Sequence, residues 1–550
     1  MAEMNGSQVL ARALELAGVE DIFYLMGGPM IAVESASAAA GIRMIDVRHE
    51  QAAAMMANAY ARLRNVPGVC MAASGPGVIN LVTGMANALI DGAPVVALGG
   101  SSPISVYGRQ AFQEIDQMAI MAPCAKHALR VHHPERIPEQ LNEALQTAVS
   151  GKPGPVYVDL PGDVLYRTVD EAKIDWSRAE RPLLRHRPVA EPAEMERLAK
   201  ALLAAERPVV VSGSGVLWSE AWAELGQLVD SLGIPFYTTP EGRGVIAEDN
   251  EYCFPSARSL AFAAADLILV VGTRLNYIVN HLAPPRFNAE ATVARIDIDA
   301  GEIATSPRKL DIGIVGDAKA VLAQLNQTLA GRADPARTQP WRIKLAARQE
   351  EKRARPGDNS RLDVEPIHPL RLCEEVKNVM DRDAVLVVDG HEILNYGRQS
   401  MPTHTPGHRL NSGPFGTMGV GLPLGLGAKV AKPDKQVIVV HGDGSFGLNA
   451  MELDTAVRHN IPVLVVISLN GGWSAADPPD KPGRDLGFTR YDRLAEALGC
   501  YGDYVEKPAD LGPALRRAQA EVDQGRVAVV NVKTDEMARA TTLPFSQYTT

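Results

Sequence analysis

Short, unbroken apolar runs recur along the chain, at 69–73, 94–98, 156–160, 208–212, 267–272, 385–388, 437–440, 463–467 and 527–532. They are continuous rather than alternating, the pattern of strands buried on both faces of a parallel sheet. Between them lie stretches with helical periodicity, among them 7–17, 51–64, 195–205 and 449–458. Strand and helix alternate almost throughout, which predicts an α/β chain of doubly wound parallel sheets. Two stretches break the alternation. Residues 175–192 are rich in Arg and Pro, and residues 342–366 carry the charge run Arg348-Gln349-Glu350-Glu351-Lys352-Arg353-Ala354-Arg355-Pro356, the mark of a solvated connection. The cuts predict three domains, at 1–175, 190–345 and 366–550.

The first and third parts echo one another. In the first, a strand leads to Ser74-Gly75-Pro76-Gly77, a helix, then Pro94 and another strand. In the third, a strand leads to His441-Gly442-Asp443-Gly444, a helix, then Pro462 and another strand. The echo predicts two related ligand-binding domains flanking a different middle one.

Composition narrows the function. The chain has 550 residues, 46% hydrophobic and 22% charged, ordinary globular values that exclude a disordered or fibrous chain. Lys and Arg total 55 against 65 Asp and Glu, a net charge of −10 that argues against nucleic acid or an anionic membrane as the main partner. The cysteines, Cys70, Cys124, Cys253, Cys373 and Cys500, are far apart and odd in number, so reduced thiols in a cytoplasmic protein are expected. No apolar run has the ~18–20 residues that span a bilayer. The first 21 residues read as a charged helical stretch rather than a signal peptide, and the final four form no peroxisomal or retention address.

The strongest chemical signal is Gly442-Asp443-Gly444-Ser445-Phe446, followed by Leu469-Asn470-Gly471-Gly472-Trp473. The first follows a strand and opens a helix. The second ends the next strand. Both are therefore placed at the carboxyl edge of neighbouring parallel strands, where α/β sheets bind ligands. Asp443 offers a carboxylate, Asn470 an amide oxygen and Gly472 a carbonyl, a set of hard oxygens suited to Mg²⁺. Gly444 and the amides of Ser445 and Phe446 could cradle phosphate at a helix start.

This pair of motifs resembles the signature of thiamine diphosphate enzymes. Arg48-His49-Glu50, Ser74-Gly75-Pro76-Gly77 and Gly416-Thr417-Met418-Gly419 extend the resemblance. Most relatives read Asn-Asn-x-Gly where this chain has Leu469-Asn470-Gly471-Gly472, but the ligand position Asn470 is kept. The resemblance implies pyrimidine-binding and diphosphate-binding domains flanking a Rossmann-like middle domain. It also implies thiamine diphosphate and Mg²⁺ as cofactors, with metal ligands Asp443, Asn470 and Gly472. Glu50 would hydrogen-bond the aminopyrimidine and promote loss of the thiazolium proton. On its own Glu50 reads as a first-turn helix residue favoured by the macrodipole. The remaining cofactor contacts would come from Gly28, Gly390, His391, Glu392, Gly416, Met418, Gly444, Ser445 and Trp473, with Met418 propping the bent cofactor. His391 reads either as a substrate-facing acid/base or as a loop side chain.

Within that family the chain most resembles 2-hydroxyacyl-CoA lyases and oxalyl-CoA decarboxylases, through residues 111–117, 272–277 and 409–419. Phe112-Gln113, where the decarboxylases usually carry Tyr-Glu, favours the lyase, and Gln113 would face the cofactor and substrate oxygen. The implied reaction cleaves a 2-hydroxyacyl-CoA to an aldehyde or ketone plus formyl-CoA, or condenses them in reverse. Arg258, Arg274, Arg286 and Arg539 are candidate contacts for acyl-CoA phosphates, with Arg274 an alternative contact for ADP. The tail at 541–550, with Pro544, Phe545 and Tyr548, reads as a cover for the substrate or as a frayed end. A homodimer or homotetramer with shared active sites is implied. Rival readings are an oxalyl-CoA decarboxylase, a benzaldehyde-lyase-like acyloin lyase, an acetolactate-synthase-like carboligase, and an inactive regulatory homologue.

Overall fold

The computed structural model describes residues 3–353, 363–473 and 482–540. It divides into two compact units. One holds residues 3–185, 363–397 and 410–540 where described; the other comprises the described residues within 186–362 and 398–409. The tail predicted at 541–550 lies outside the described residues.

In the first third the strands are β1 (Glu3–Asn5), β2 (Asp21–Leu25), β3 (Arg43–Asp46), β4 (Gly68–Ala72), β5 (Val95–Ser101), β6 (His127–Arg130), β7 (Val156–Pro161) and β8 (Thr168–Asp170). Six of them form a sheet in the order β3-β2-β4-β5-β7-β6, every pairing parallel, while β1 and β8 pair antiparallel. The middle strands are β9 (Pro208–Ser212), β10 (Phe236–Thr238), β11 (Leu267–Val271), β12 (Thr292–Asp297) and β13 (Ile312–Val315), a parallel sheet in the order β10-β9-β11-β12-β13. The last third supplies β14 (Val385–Asp389), β15 (Arg409–Asn411), β16 (Val437–Gly442), β17 (Leu464–Leu469), β18 (Tyr501–Val505) and β19 (Ala528–Lys533), in the order β15-β14-β16-β17-β19-β18. The central strands β4, β5, β14 and β17 are buried along their whole length, which is why they read as apolar runs rather than alternating ones. Taken in chain order, the first and third sheets have the same topology, so the echo in the sequence corresponds to a repeated fold.

The first unit is bound together through one helix. The helix Glu50–Arg64 starts at His49, whose ring accepts the Gln51 amide at 3.2 Å, and stops at Asn65 in the left-handed conformation. Its interior is mostly alanine and methionine, and nearly all of it is buried. It is packed between the helix Pro76–Asp91 and the helix Gly421–Ala431 of the third part. The contact is backbone-close: a Cβ at Gly427 would fall 2.3 Å from Met56 O, and one at Gly84 would fall 2.6 Å from Ala54 Cβ. Glycine is therefore required on both sides of this helix.

The structure corrects one predicted element. Residues 449–458 are not a single helix; one helix spans Asp443–Asn449 and a second Glu452–Arg458. The chain tightens between them, with Leu453 N and Asp454 N bonded three residues back to Ala450 O and Met451 O.

In the middle unit Arg295 on β12 has no solvent exposure. Its guanidinium donates to Asp297 Oδ2 at 3.2 Å, to Glu302 Oε2 at 2.8 Å and to Thr273 O at 3.1 Å. Removing the cation leaves two carboxylates facing each other in a poorly solvated place. Arg295→Ala is expected to cost this unit about 3–5 kcal/mol, read as a lower urea midpoint. A variant as stable as the parent would show that the cluster is not held by this ion pair.

Candidate active site

The carboxyl edge of the third sheet gathers one set of the predicted residues. Asp443 opens the helix after β16 and is 3% exposed, and Asn470 follows β17. Asp443 accepts the amides of Gly444 at 2.9 Å and Gly471 at 2.8 Å. Burial pushes its carboxyl up to about 6, against the lowering effect of these amides. The end of the Asn470 side chain lies 3.1 Å from Asp443 Oδ1 and 3.1 Å from Gly472 O. With the amide NH₂ in that position, both oxygens are satisfied. With the amide oxygen there, it faces the two other oxygens at close to the ~3.0 Å between adjacent ligands of an octahedral ion with bonds of about 2.1 Å. Turning one amide thus converts a self-satisfied group into a three-oxygen donor set of the kind Mg²⁺ takes, so the residues present fit the metal.

The surroundings fit a diphosphate. Ser445 is buried, with its Oγ 3.0 Å from Gly442 O and 3.0 Å from His441 Nδ1. His441 is fully buried, and that burial pushes its pKa down to about 3, so it is neutral beneath the loop. Gly390 follows β14 and adopts φ +121°; a Cβ there would come 3.1 Å from Gly442 N. Trp473 lies against Gly444, where a Cβ would meet its ring at 2.9 Å, so no side chain larger than hydrogen fits under the indole. Glu392 accepts the Ala540 amide at 2.9 Å, and His391 Nδ1 stands 3.3 Å away. Although burial opposes it, the His391 and Ala540 contacts hold the Glu392 carboxyl below its usual range. His391 itself is exposed.

A second set gathers at the turn after β4. Glu50 is 7% exposed, and its Oε2 accepts Asn80 Nδ2 at 2.9 Å. Gly77 stands beside Glu50 Oε1, which a Cβ there would approach to 3.3 Å. The Ser74 hydroxyl lies 2.9 Å from Gln113 Oε1 and 3.2 Å from Gly28 O, so it joins those two predicted residues to the same turn. Gln113 adopts φ +58°, a left-handed conformation that costs a non-glycine residue energy and fixes its direction. The Gly75 amide is held by Gln117 Oε1 at 3.1 Å.

Gly416 and Met418 sit on a loop that leads to Gly419, whose carbonyl accepts Asn449 Nδ2 at 2.7 Å. Among the described residues no hydrogen bond joins the Glu50 carboxylate to the Asp443 group, so the two sets are separate clusters within the chain. The predicted arginines have different surroundings. Arg274 Nε lies 3.9 Å from Glu302 Oε1, and Arg539 donates to the carbonyls of Glu536 and Ala538. Burial lowers both Arg258 and Arg286, and the charge of Arg258 lowers Arg286 further. Sequence reasoning missed Asn80, Asn449 and Glu452, and it named Ser74 and Gln117 only as parts of motifs. The available signal was polar side chains at helical spacing on otherwise apolar faces, which periodicity alone does not distinguish from surface.

Comparison with known proteins bears on all of this. The N-terminal thiamine pyrophosphate-binding domain of thiamine pyrophosphate enzymes matches residues 4–120, their central domain residues 195–325, and their C-terminal thiamine pyrophosphate-binding domain residues 394–532. A probable acetolactate synthase of Mycobacterium bovis is 35% identical, covering 97% of this chain and 96% of its own. A 2-hydroxyacyl-CoA lyase of Oryza sativa subsp. japonica is 34% identical, over 98% and 96%. An oxalyl-CoA decarboxylase of Escherichia coli (strain K12) is 31% identical, over 97% and 95%.

Proposed function

Because the chain belongs to the thiamine pyrophosphate enzyme family, we propose that it is a thiamine diphosphate- and Mg²⁺-dependent carbon–carbon lyase. Its substrate on this reading is a 2-hydroxyacyl-CoA, cleaved to an aldehyde or ketone plus formyl-CoA, with the reverse condensation open to the same site. The observation that carries the reading is the gathering of Glu50 and Gln113 around one turn, with Gln113 held at Ser74 in the position that Phe112-Gln113 marks as lyase-like. The cofactor, when bound, supplies an electron sink that stabilises an acyl carbanion.

The chain's own residues do the rest. Asp443, Asn470 and Gly472 would hold Mg²⁺, with the Asn470 amide turned oxygen-inward. The amides of Ser445 and Phe446, with Gly444, would receive phosphate oxygens. Asn80 occupies Glu50 Oε2, so Oε1 would be the oxygen that hydrogen-bonds the aminopyrimidine and holds or gives up a proton there. Gly28, Gly416 and Met418 would contact the pyrimidine end, and Gly390, Glu392 and Trp473 the diphosphate end. On this reading His391, exposed beside Glu392, would pass a proton to substrate. Arg258 and Arg286, with Arg274 and Arg539, are the proposed contacts for the anionic acyl-CoA; ADP at Arg274 remains a proposal of the sequence. A homodimer or homotetramer with shared sites belongs to the same reading, supported by the exposed apolar side chains of Met26, Ile31, Phe112, Ile115 and Phe415. Among the described residues no helix is long and apolar enough to cross a membrane; a cytoplasmic location belongs to the same proposal.

The 35% identity to the probable acetolactate synthase favours a second reading, carboligation of a 2-oxo acid. One experiment separates them. The protein loaded with thiamine diphosphate and Mg²⁺ is incubated in turn with a 2-hydroxyacyl-CoA, oxalyl-CoA and pyruvate. Formyl-CoA with an aldehyde from the first is the expected result. Acetolactate from pyruvate, with the thioester untouched, would overturn the lyase.

A further inference from the structure

The segment just before Glu50 is anchored from an unexpected direction. Glu452, at the start of the helix Glu452–Arg458, is 1% exposed. Its Oε1 accepts the amides of Arg48 at 3.1 Å and His49 at 3.1 Å. Its Oε2 accepts Arg48 N at 3.2 Å and the Thr455 hydroxyl at 2.7 Å. Every contact comes from a donor, the pattern of an ionised carboxylate. Arg48 forms its ion pair with Asp454 and Arg458 with Asp46 and Asp454. Burial pushes the Glu452 carboxyl up, and the Thr455 hydroxyl, the Arg48 and His49 amides and the charge of Arg458 work against that rise. What the carboxylate adds is a grip on two consecutive backbone amides, which fixes two peptide planes immediately upstream of Glu50.

A second contact fixes the downstream side. Gln51 Nε2 donates to Asn449 Oδ1 at 2.9 Å, and Asn449 also holds the Gly419 carbonyl. Asn449 ends the helix that Asp443 begins, and Glu452 begins the next one. Glu50 is therefore flanked on both sides by side chains from residues 449–452, and Asn80 meets its tip.

We infer that Glu452 is a positioning residue for Glu50: by binding the Arg48 and His49 amides it sets the place and direction of the Glu50 carboxylate. The inference rests on the proposed role of Glu50 toward the cofactor. It requires that a small shift at Glu50 be expensive in rate, as it is when misplacement of about 1 Å costs on the order of 10²-fold.

The test uses Glu452→Gln, with Glu452→Asp as a gentler second variant, both loaded with thiamine diphosphate and Mg²⁺. Three quantities are read: amide hydrogen exchange over residues 46–56, deuterium exchange at the cofactor's C2–H, and kcat and KM separately. In Glu452→Gln the Arg48 and His49 amides are expected to exchange about tenfold faster or more, since an equilibrium opening that is 1.4 kcal/mol easier is tenfold. C2–H exchange and kcat fall roughly 10–100-fold together, while KM and cofactor affinity stay near the parent values. Glu452→Asp falls between. In a Glu50→Gln background, Glu452→Gln adds little further, the non-additivity of residues acting through one another.

Unchanged C2–H exchange and kcat in a loaded Glu452→Gln enzyme would overturn the inference. Loss of cofactor affinity in step with rate would overturn it as well, because the carboxylate would then be only a staple of the fold. If Glu50→Gln alone leaves C2–H exchange at the parent rate, the reading of Glu50 fails. If Glu50→Gln is slow and Glu452→Gln is not, only the positioning role fails.

Discussion

Glu50→Gln is expected to lower turnover by about 10²–10⁴-fold, the usual range for removing one positioned proton-transfer group. Cofactor and Mg²⁺ should still bind. Glutamine has almost the same shape, and its amide oxygen can still accept the Asn80 amide that Glu50 Oε2 accepts now. What is lost is the proton that Oε1 can take up and return. Helix placement should also survive, because the anchors of this segment act on the backbone at Arg48 and His49 and on the side chain of Gln51, not on the carboxylate itself. Steady-state kinetics with cofactor titration in parallel decides the matter. Turnover within a few-fold of the parent in a fully loaded variant would remove Glu50 from the chemistry.

Asp443→Asn is expected to act on the opposite cluster with a different signature. The carboxylate is the single charged ligand in the set of Asp443, Asn470 and Gly472, so Mg²⁺ affinity, and with it cofactor uptake, should drop by at least about 100-fold. The metal-free protein should move the other way. The folded carboxyl titrates near 6 against an ordinary value of 3.8, so its ionised form disfavours the fold. Stability from this group is fully present below pH 3.8 and is lost as pH rises through about 6. At pH 7 the asparagine variant avoids that penalty, by as much as about 3 kcal/mol. In the parent, a proton competes with Mg²⁺ below pH 6, so apparent metal affinity should fall about tenfold for each further pH unit. Calorimetric titration with Mg²⁺ and thiamine diphosphate at pH 5, 6 and 7, with thermal unfolding of both metal-free proteins, checks each sign. A variant that binds metal like the parent would place the cation elsewhere.

Much of the frame was legible because parallel strands buried on both faces leave an unmistakable trace, as at 385–388 and 463–467. The Asp443 and Asn470 motifs could be placed because each sits at the end of such a strand. The break between Asn449 and Glu452 was not legible: the whole stretch has helical periodicity, and the break is visible only in the tightening at Ala450 and Met451. Glu452 and Asn80 were hidden for a related reason. A buried polar residue is recognised by its partners, and these partners lie 404 and 30 residues away. The arginines were legible only as charge, which suggests an anion site without showing what each guanidinium already faces, as Glu302 faces Arg274.

The matching order of the first and third sheets decides where their acids fall. Superposing the two orders sets β3 on β15 and β4 on β16. The helix after β3 begins with Glu50 and the helix after β15 begins with Gly421, and these equivalent helices pack on one another. The turn after β16 carries Asp443; its counterpart after β4, Ser74 to Gly77, has no acid. Each half thus lacks the carboxylate the other half has at the matching position. The repeated topology thus carries its acids in a complementary way, Glu50 in one half and Asp443 in the other, and neither half has both.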